Sequence, residues 1–177
     1  EAFGNAKTIR NDNSSRFGKF IKLNFNNNKL CSSIINTYLL EKIRLIYQGM
    51  NERNFHIFYL MIKGMSDNQK EKYFINSSNY NYLKNGLIER DDNVNDKDEF
   101  NLVLKAFKKL NFTEEDIELI FSITSGILNL GNIEYDEEGE IINKEQIIIV
   151  SKLLKVDNNL LNFTLLNRNL NVSGEEY

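Results

Sequence analysis

Apolar residues along this chain change their period once, and that change limits the fold more than any other feature. In residues 18–25, Ile21, Leu23 and Phe25 alternate with Lys22 and Asn24, the pattern of a half-buried strand. Asn26, Asn27 and Asn28 make a polar break suited to a hairpin turn; residues 30–40 suit a second strand and residues 45–47 a third. From residue 55 the spacing becomes helical: Phe55, Phe58, Tyr59 and Ile62 fall at i, i+3, i+4, i+7. Ser66 and Gln69 have capping-box spacing for a short helix through Tyr73, and Phe100, Val103, Leu104 and Phe107 mark another helix that starts near Asp96 and Glu99. The clearest helix follows Thr113, with Glu114, Glu115 and Asp116 complementing its positive end. Its expected buried stripe is Ile117, Ile120, Phe121, Ile127 and Leu128, with Gly131 as its stop. A small hairpin turning at Gly139, two closing helices over 143–155 and 157–166, and a strand-or-loop tail complete the pattern. Strands first and helices afterwards predict an α+β chain, its few strands belonging to a larger mixed sheet, because strand pairs with open edges seldom stand alone.

Composition narrows the function classes. The 177 residues are 41% apolar, enough for a core. A net charge of -3, from 25 acids and 22 bases, argues against a globally basic nucleic-acid binder. No apolar run approaches the roughly 20 residues of a membrane helix, so no membrane insertion is expected. The single cysteine, Cys31, cannot close an internal disulfide, which fits a reducing, cytoplasmic setting. Proline is absent and asparagine abundant, a bias expected of an AT-rich genome. The chain begins with Glu1, and is expected to be an excerpt of a longer one.

The chemistry concentrates in residues 5–20, "NAKTIRNDNSSRFGKF". This polar loop, leading into a strand, holds four cations (Lys7, Arg10, Arg16, Lys19), two adjacent hydroxyls (Ser14, Ser15) and three amides (Asn5, Asn11, Asn13). Hydroxyl oxygen suits a hard divalent ion, backbone N–H groups and amides suit phosphate oxygens, and an arginine can grip a carboxylate when a lid closes. The plainer reading of such a loop is a solvated surface.

The same stretch resembles switch I of the myosin motor, N-A-K-T-x-R-N-x-N-S-S-R-F-G-K, at every fixed position, with Ile9 and Asp12 at the variable ones. Downstream, "YLLEKIRLIYQ", "ERNFHIFYLMI", "SGILNLGNIEY" and "LLNRNLNVSGEEY" are similar, in order, to further myosin segments. The resemblance therefore covers essentially the whole chain. It implies part of a motor domain reaching into the upper fifty-kilodalton subdomain: residues 1–50 with the switch I loop and sheet strands, residues 51–177 mainly helical. It implies ATP and magnesium as cofactors, with Ser15 a magnesium ligand, Ser14 beside the γ-phosphate and the attacking water, and Asn11 on the phosphate chain. Arg16 would pair with a switch II glutamate on closure, and Lys7 and Arg10 would support the phosphate side. Implied partners are the actin filament, the rest of the heavy chain, and light chains held by segments outside these residues; the implied location is cytoskeletal.

Two motor elements have no match here: a G-x-x-x-x-G-K-[ST] phosphate loop, and a D-I-x-G-F-E switch II, which leaves Arg16 with no expected carboxylate partner in this chain. Within the matched segments Ile43 replaces the family's usual serine and Met61 a glutamine. A kinesin-type motor also carries N-x-x-S-S-R, but there Ser-His follows, whereas Phe17, Gly18 and Lys19 follow Arg16. A non-catalytic helical interaction module derived from a motor is the other alternative. His56, the only histidine, has no ligand-spaced companions and reads as a partly buried structural residue.

Overall fold

The computed structural model describes residues 1–76, 80–86, 90, 92–167, 171–172 and 175–176. It is mixed α and β, and it divides into two compact units: Glu1–Gly64 with Tyr82–Val103, and Met65–Asn81 with Leu104–Tyr177.

In the first unit, β1 (Asn5–Ala6) pairs antiparallel with β2 (Ser14–Ser15), placing Asn5 opposite Ser15. Three backbone links hold the base of this loop to residues 53–57: an Ala6–Phe55 bridge, Arg53 N–H to the Lys7 carbonyl, and Ile57 N–H to the Ala2 carbonyl. The chain then makes a long hairpin from β3 (Gly18–Asn26) and β4 (Lys29–Tyr38). Asn27 and Asn28 both take positive φ (47° and 60°), the geometry whose twist matches a two-residue hairpin turn, and asparagine tolerates it. A register shift after Asn24 leaves Cys31 as the extra residue of a bulge, exposed and free.

The expected third strand at 45–47 is a 3₁₀ turn instead, Lys42–Leu45. The reason is that side-chain amides have taken the carbonyls a ladder would need. Gln48 Nε2 donates to the Arg44 carbonyl and Asn54 Nδ2 to that of Leu45. The second strand also ends earlier than expected, at Tyr38, and Leu39 turns to φ 54°.

α1 (His56–Gly64) is buried on every side from His56 to Met61, as befits a helix inside a larger assembly of elements. Beside it, Arg53 is fully buried, with its guanidinium 3.7 Å from the Tyr59 ring centroid and Nη2 2.7 Å from Asp96 Oδ2. Asp96 begins α3 (Asp96–Lys109), whose Phe100 is also fully buried.

The second unit is helical. α2 (Asp67–Lys72) and α4 (Glu114–Leu130) both open with capping boxes, Ser66 with Gln69 and Thr113 with Asp116. α5 (Lys144–Leu154) and α6 (Asn158–Leu166) follow. The small hairpin is present, with Tyr135 bridging Ile141 and Gly139 at φ 87°. Ile133, Ile141, Ile147 and Val150 form one core cluster; Tyr73, Phe107 and Phe121 meet edge to face in another. The buried stripe of α4 differs from expectation. Ile117, Ile120 and Ile127 are only half-buried, whereas Thr124, Ser125 and Gly126 are buried: Ser125 donates to the Tyr73 carbonyl, and α5 packs so close that a Cβ on Gly126 would sit 2.5 Å from Leu154. Gly131 follows the last turn with φ −65°, so the helix ends without a left-handed glycine. The expected tail falls largely outside the described residues; Asn171–Val172 and Glu175–Glu176 pair as β5 and β6.

Candidate functional site

The loop between β1 and β2 is shaped by its own short polar side chains. The Thr8 hydroxyl accepts from Asn11 N–H (3.2 Å), and the Asn11 amide oxygen accepts from Asn13 N–H (2.8 Å), an Asx turn. Lys7 is buried and its Nζ lies 2.6 Å from Asp12 Oδ1. Asn13 is the most connected residue. Its oxygen meets Asn5 Nδ2 and His56 Nε2, each at 3.1 Å, and its nitrogen donates to Glu1 (3.2 Å).

After Asn13 the hydroxyls point different ways. Ser14 Oγ accepts from Arg16 Nη1 (3.1 Å), and the exposed Ser15 hydroxyl donates to the Phe17 carbonyl (3.2 Å). Arg16 does have a carboxylate partner in this chain, contrary to expectation: its Nε is 2.6 Å from Glu41 Oε2. The two residues are joined through the backbone as well, Glu41 N–H to the Arg16 carbonyl, because the β3–β4 hairpin brings the end of β4 back to the loop's exit. Glu41 is shared. Arg44 Nε also lies 2.6 Å from its Oε2, and Arg44 reaches on to Glu52 (3.2 Å), so four charges alternate in a chain. The hydrogen bond from Arg16, with help from Arg44, holds the Glu41 carboxyl below its usual range despite partial burial, and Glu41 raises Arg16 in turn. His56 moves the opposite way from a paired histidine: burial, then the charges of Arg90 and Arg53, push it down to about 4.

An open cavity of about 340 Å³ lies against the loop, lined by Lys7, Arg10, Asn11, Asp12 and Asn13 among others. The sequence-predicted site residues thus fall into two sets. Lys7, Arg10 and Asn11 share the cavity wall; Ser14, Ser15 and Arg16 lie along β2 and its exit, outside that wall. Arg10 and Asn11 are exposed, while Lys7 is held inward by Asp12. The residues that sequence reasoning passed over are Asn13 as the loop's hub, His56 as its buried contact and Glu41 as the partner of Arg16. None of these contacts is periodic, and the last two span 43 and 25 positions, so no local pattern reveals them.

Among the described residues no group of three or more His, Cys, Asp or Glu could hold a metal ion. The loop fits magnesium only as a contributor. The Ser15 hydroxyl is a hard oxygen, exposed, and engaged in a single long local bond that a stronger ligand can displace; the other ligands would come from phosphate or from elsewhere.

Residues 1–177 match the myosin head (motor domain) family. The chain is 40% identical over 99% of its length to unconventional myosin-Ic of Aquarana catesbeiana, covering 18% of that protein. It is 42% identical over its whole length to the myosin-I heavy chain of Dictyostelium discoideum, covering 8%, and 42% identical over 99% of its length to Myosin-52 of Schizosaccharomyces pombe, covering 12%. It therefore spans less than a fifth of each of these relatives. With a family match over every residue and relatives this similar along the whole chain, the protein belongs to the myosin head family and constitutes part of a motor domain.

Proposed function

We propose that residues 5–18 sense the terminal phosphate of ATP and its magnesium ion as switch I of an actin-based motor ATPase. The division of the loop's polar groups carries this reading. Asn5 and Lys7 are buried and Asn13, though exposed, is tied to Asn5, His56 and Glu1, while Arg10, Asn11 and Ser15 stay exposed on a backbone pinned at both ends. That is what a ligand-sensing loop requires: some polar groups fix its shape, while the Arg10 guanidinium, the Asn11 amide nitrogen and a Ser15 hydroxyl held by one long local bond face outward.

In this reading Asn11 contacts the phosphate chain, Lys7 and Arg10 support the phosphate side, and Ser14 lies beside the terminal phosphoryl group and the water that attacks it. Ser15 supplies one oxygen to magnesium, which when bound neutralises phosphate charge. Glu41 holds Arg16 until closure, when Arg16 exchanges it for a switch II carboxylate outside these residues. β3, which follows the loop directly, carries its state into the sheet and so to the actin cleft. The partners are the actin filament and the remaining heavy chain, with light chains bound elsewhere on it. By themselves the 177 residues are expected to turn over no ATP.

In the complete motor, Ser15→Ala should weaken magnesium-dependent hydrolysis. Arg16→Ala should bind nucleotide but hydrolyse it slowly. Unchanged steady-state and single-turnover rates in both variants reject these roles. Nucleotide-dependent cosedimentation with actin separates a working motor from a non-catalytic helical module.

A further inference from the structure

His56, the first residue of α1, is 3% exposed, and its Nε2 lies 3.1 Å from Asn13 Oδ1. The direction of that bond follows from the neighbours. Asn13 Nδ2 faces the Glu1 carboxylate, which only accepts, so the Asn13 amide oxygen is the end turned toward Asn5 Nδ2 and His56. An acceptor at that point requires the hydrogen on Nε2. Nδ1 then carries a lone pair in the interior, with no hydrogen-bond partner among the described residues.

An imidazole in this state is a poor space-filler. An apolar side chain of similar size would pack there without leaving a buried nitrogen unsatisfied, so the ring's gain must lie in the one bond it makes. That bond reaches the hub of the loop. Asn13 N–H holds the Asn11 side chain, and Ser14 and Ser15 follow in β2. Asn13 itself is exposed, so its position depends on these side-chain bonds rather than on burial.

We propose that His56 is a positioning residue for the loop: its neutral Nε2–H imidazole fixes the Asn13 amide, and through it the backbone of residues 11–15. The charged side chains acting on the ring are Arg90 and Arg53, which oppose protonation, and Asp92, which favours it. Burial and the two arginines outweigh Asp92, so the tether holds at neutral pH and is insensitive to pH there. The importance of the tether for catalysis rests on the nucleotide-sensing reading above; the tether itself does not.

The test compares His56→Gln with His56→Leu in the complete motor chain. The glutamine amide nitrogen can stand where Nε2 stands, and leucine fills the space without a donor. Without nucleotide, His56→Leu should speed hydrogen exchange across residues 11–15 about tenfold, the scale of one lost hydrogen bond, while α1 keeps its protection. With MgATP, kcat/KM should fall by a similar factor, and His56→Gln should restore both to within about threefold. Loop exchange that is unchanged in His56→Leu, or that rises equally in both variants together with α1, overturns the proposal. Should His56→Leu fail to fold, Asn13→Ala removes the acceptor from the exposed side. It should reproduce the loop effect, and adding His56→Gln should change loop exchange by less than about twofold; fully additive effects overturn the tether. Failure of the parent chain to hydrolyse ATP sinks the nucleotide reading alone, because the exchange result still decides the tether.

Discussion

Glu41 and His56 titrate in ways that can be read directly. Glu41 lies between Arg16 and Arg44, and its folded carboxyl is more acidic than the unfolded one. Its contribution is therefore complete above the ordinary carboxylate range and is lost as pH falls through the lowered folded value. Glu41→Gln should cost roughly 1–2 kcal/mol at neutral pH, since a charge-assisted bond is lost at a partly exposed site. The gap between the two proteins in urea unfolding should be flat above the ordinary carboxylate value of 4.5 and narrow as pH falls through the lowered folded value. A gap that persists in acid would mean Glu41 acts through packing instead. His56 also has a lowered folded value, about 4 against an ordinary 6.5. Its stabilising share is whole above pH 6.5 and erodes as pH falls toward 4, by about 3 kcal/mol in all, and His56→Gln should remove that slope. Equal slopes in parent and variant would show that the ring titrates normally. The loop's chemistry was legible in the sequence because cations, hydroxyls and amides crowd into one short segment. Its internal wiring was not: Asp12 taking Lys7, 5 residues away, depends on the turn between them, and Glu41 taking Arg16, 25 residues away, on the hairpin.

At the scale of elements, local signals and tertiary demands part company in specific places. Capping boxes at Ser66 and Thr113 were readable because both partners lie within four residues. The hairpin turn was readable from three asparagines. The strand expected at 45–47 failed because Gln48 and Asn54, remote from any strand pattern, occupy the carbonyls there. The α4 stripe failed because periodicity finds large apolar residues, whereas close packing against α5 selects a glycine at 126 and the Tyr73 carbonyl a hydroxyl at 125. Gly64 poses the same demand on α1: a Cβ there would lie 2.4 Å from Cβ of Phe100. Phe100 is fully buried and has no room to yield, so Gly64→Ala should destabilise by about 1–3 kcal/mol despite alanine's better helix propensity. A thermal melt decides it, and a stabilised variant would show that α1 and Phe100 can move apart.

For the whole molecule, the β3–β4 register is decisive. Cross-strand pairing puts Ile21, Leu23 and Ile35 on one face and Phe20, Ile34 and Tyr38 on the other, and all six are about half exposed. The sequence showed the first face but hid the second, because Lys22 and Asn24 made β3 look polar on that side, where Phe20 is its one apolar residue and Ile34 and Tyr38 sit on β4. A ribbon apolar on both faces is built for the middle of a layered sheet. The 177 residues alone should therefore bind 1-anilinonaphthalene-8-sulfonate and self-associate, and the complete motor should do neither to the same degree. A dye-silent monomer at high concentration would contradict the buried-ribbon assignment. Sticky on its two broad sides, the ribbon settles only once its layer neighbours are in place, so a nascent chain that lacks them should need chaperone shelter and stay cleavable at Asn27 and Asn28.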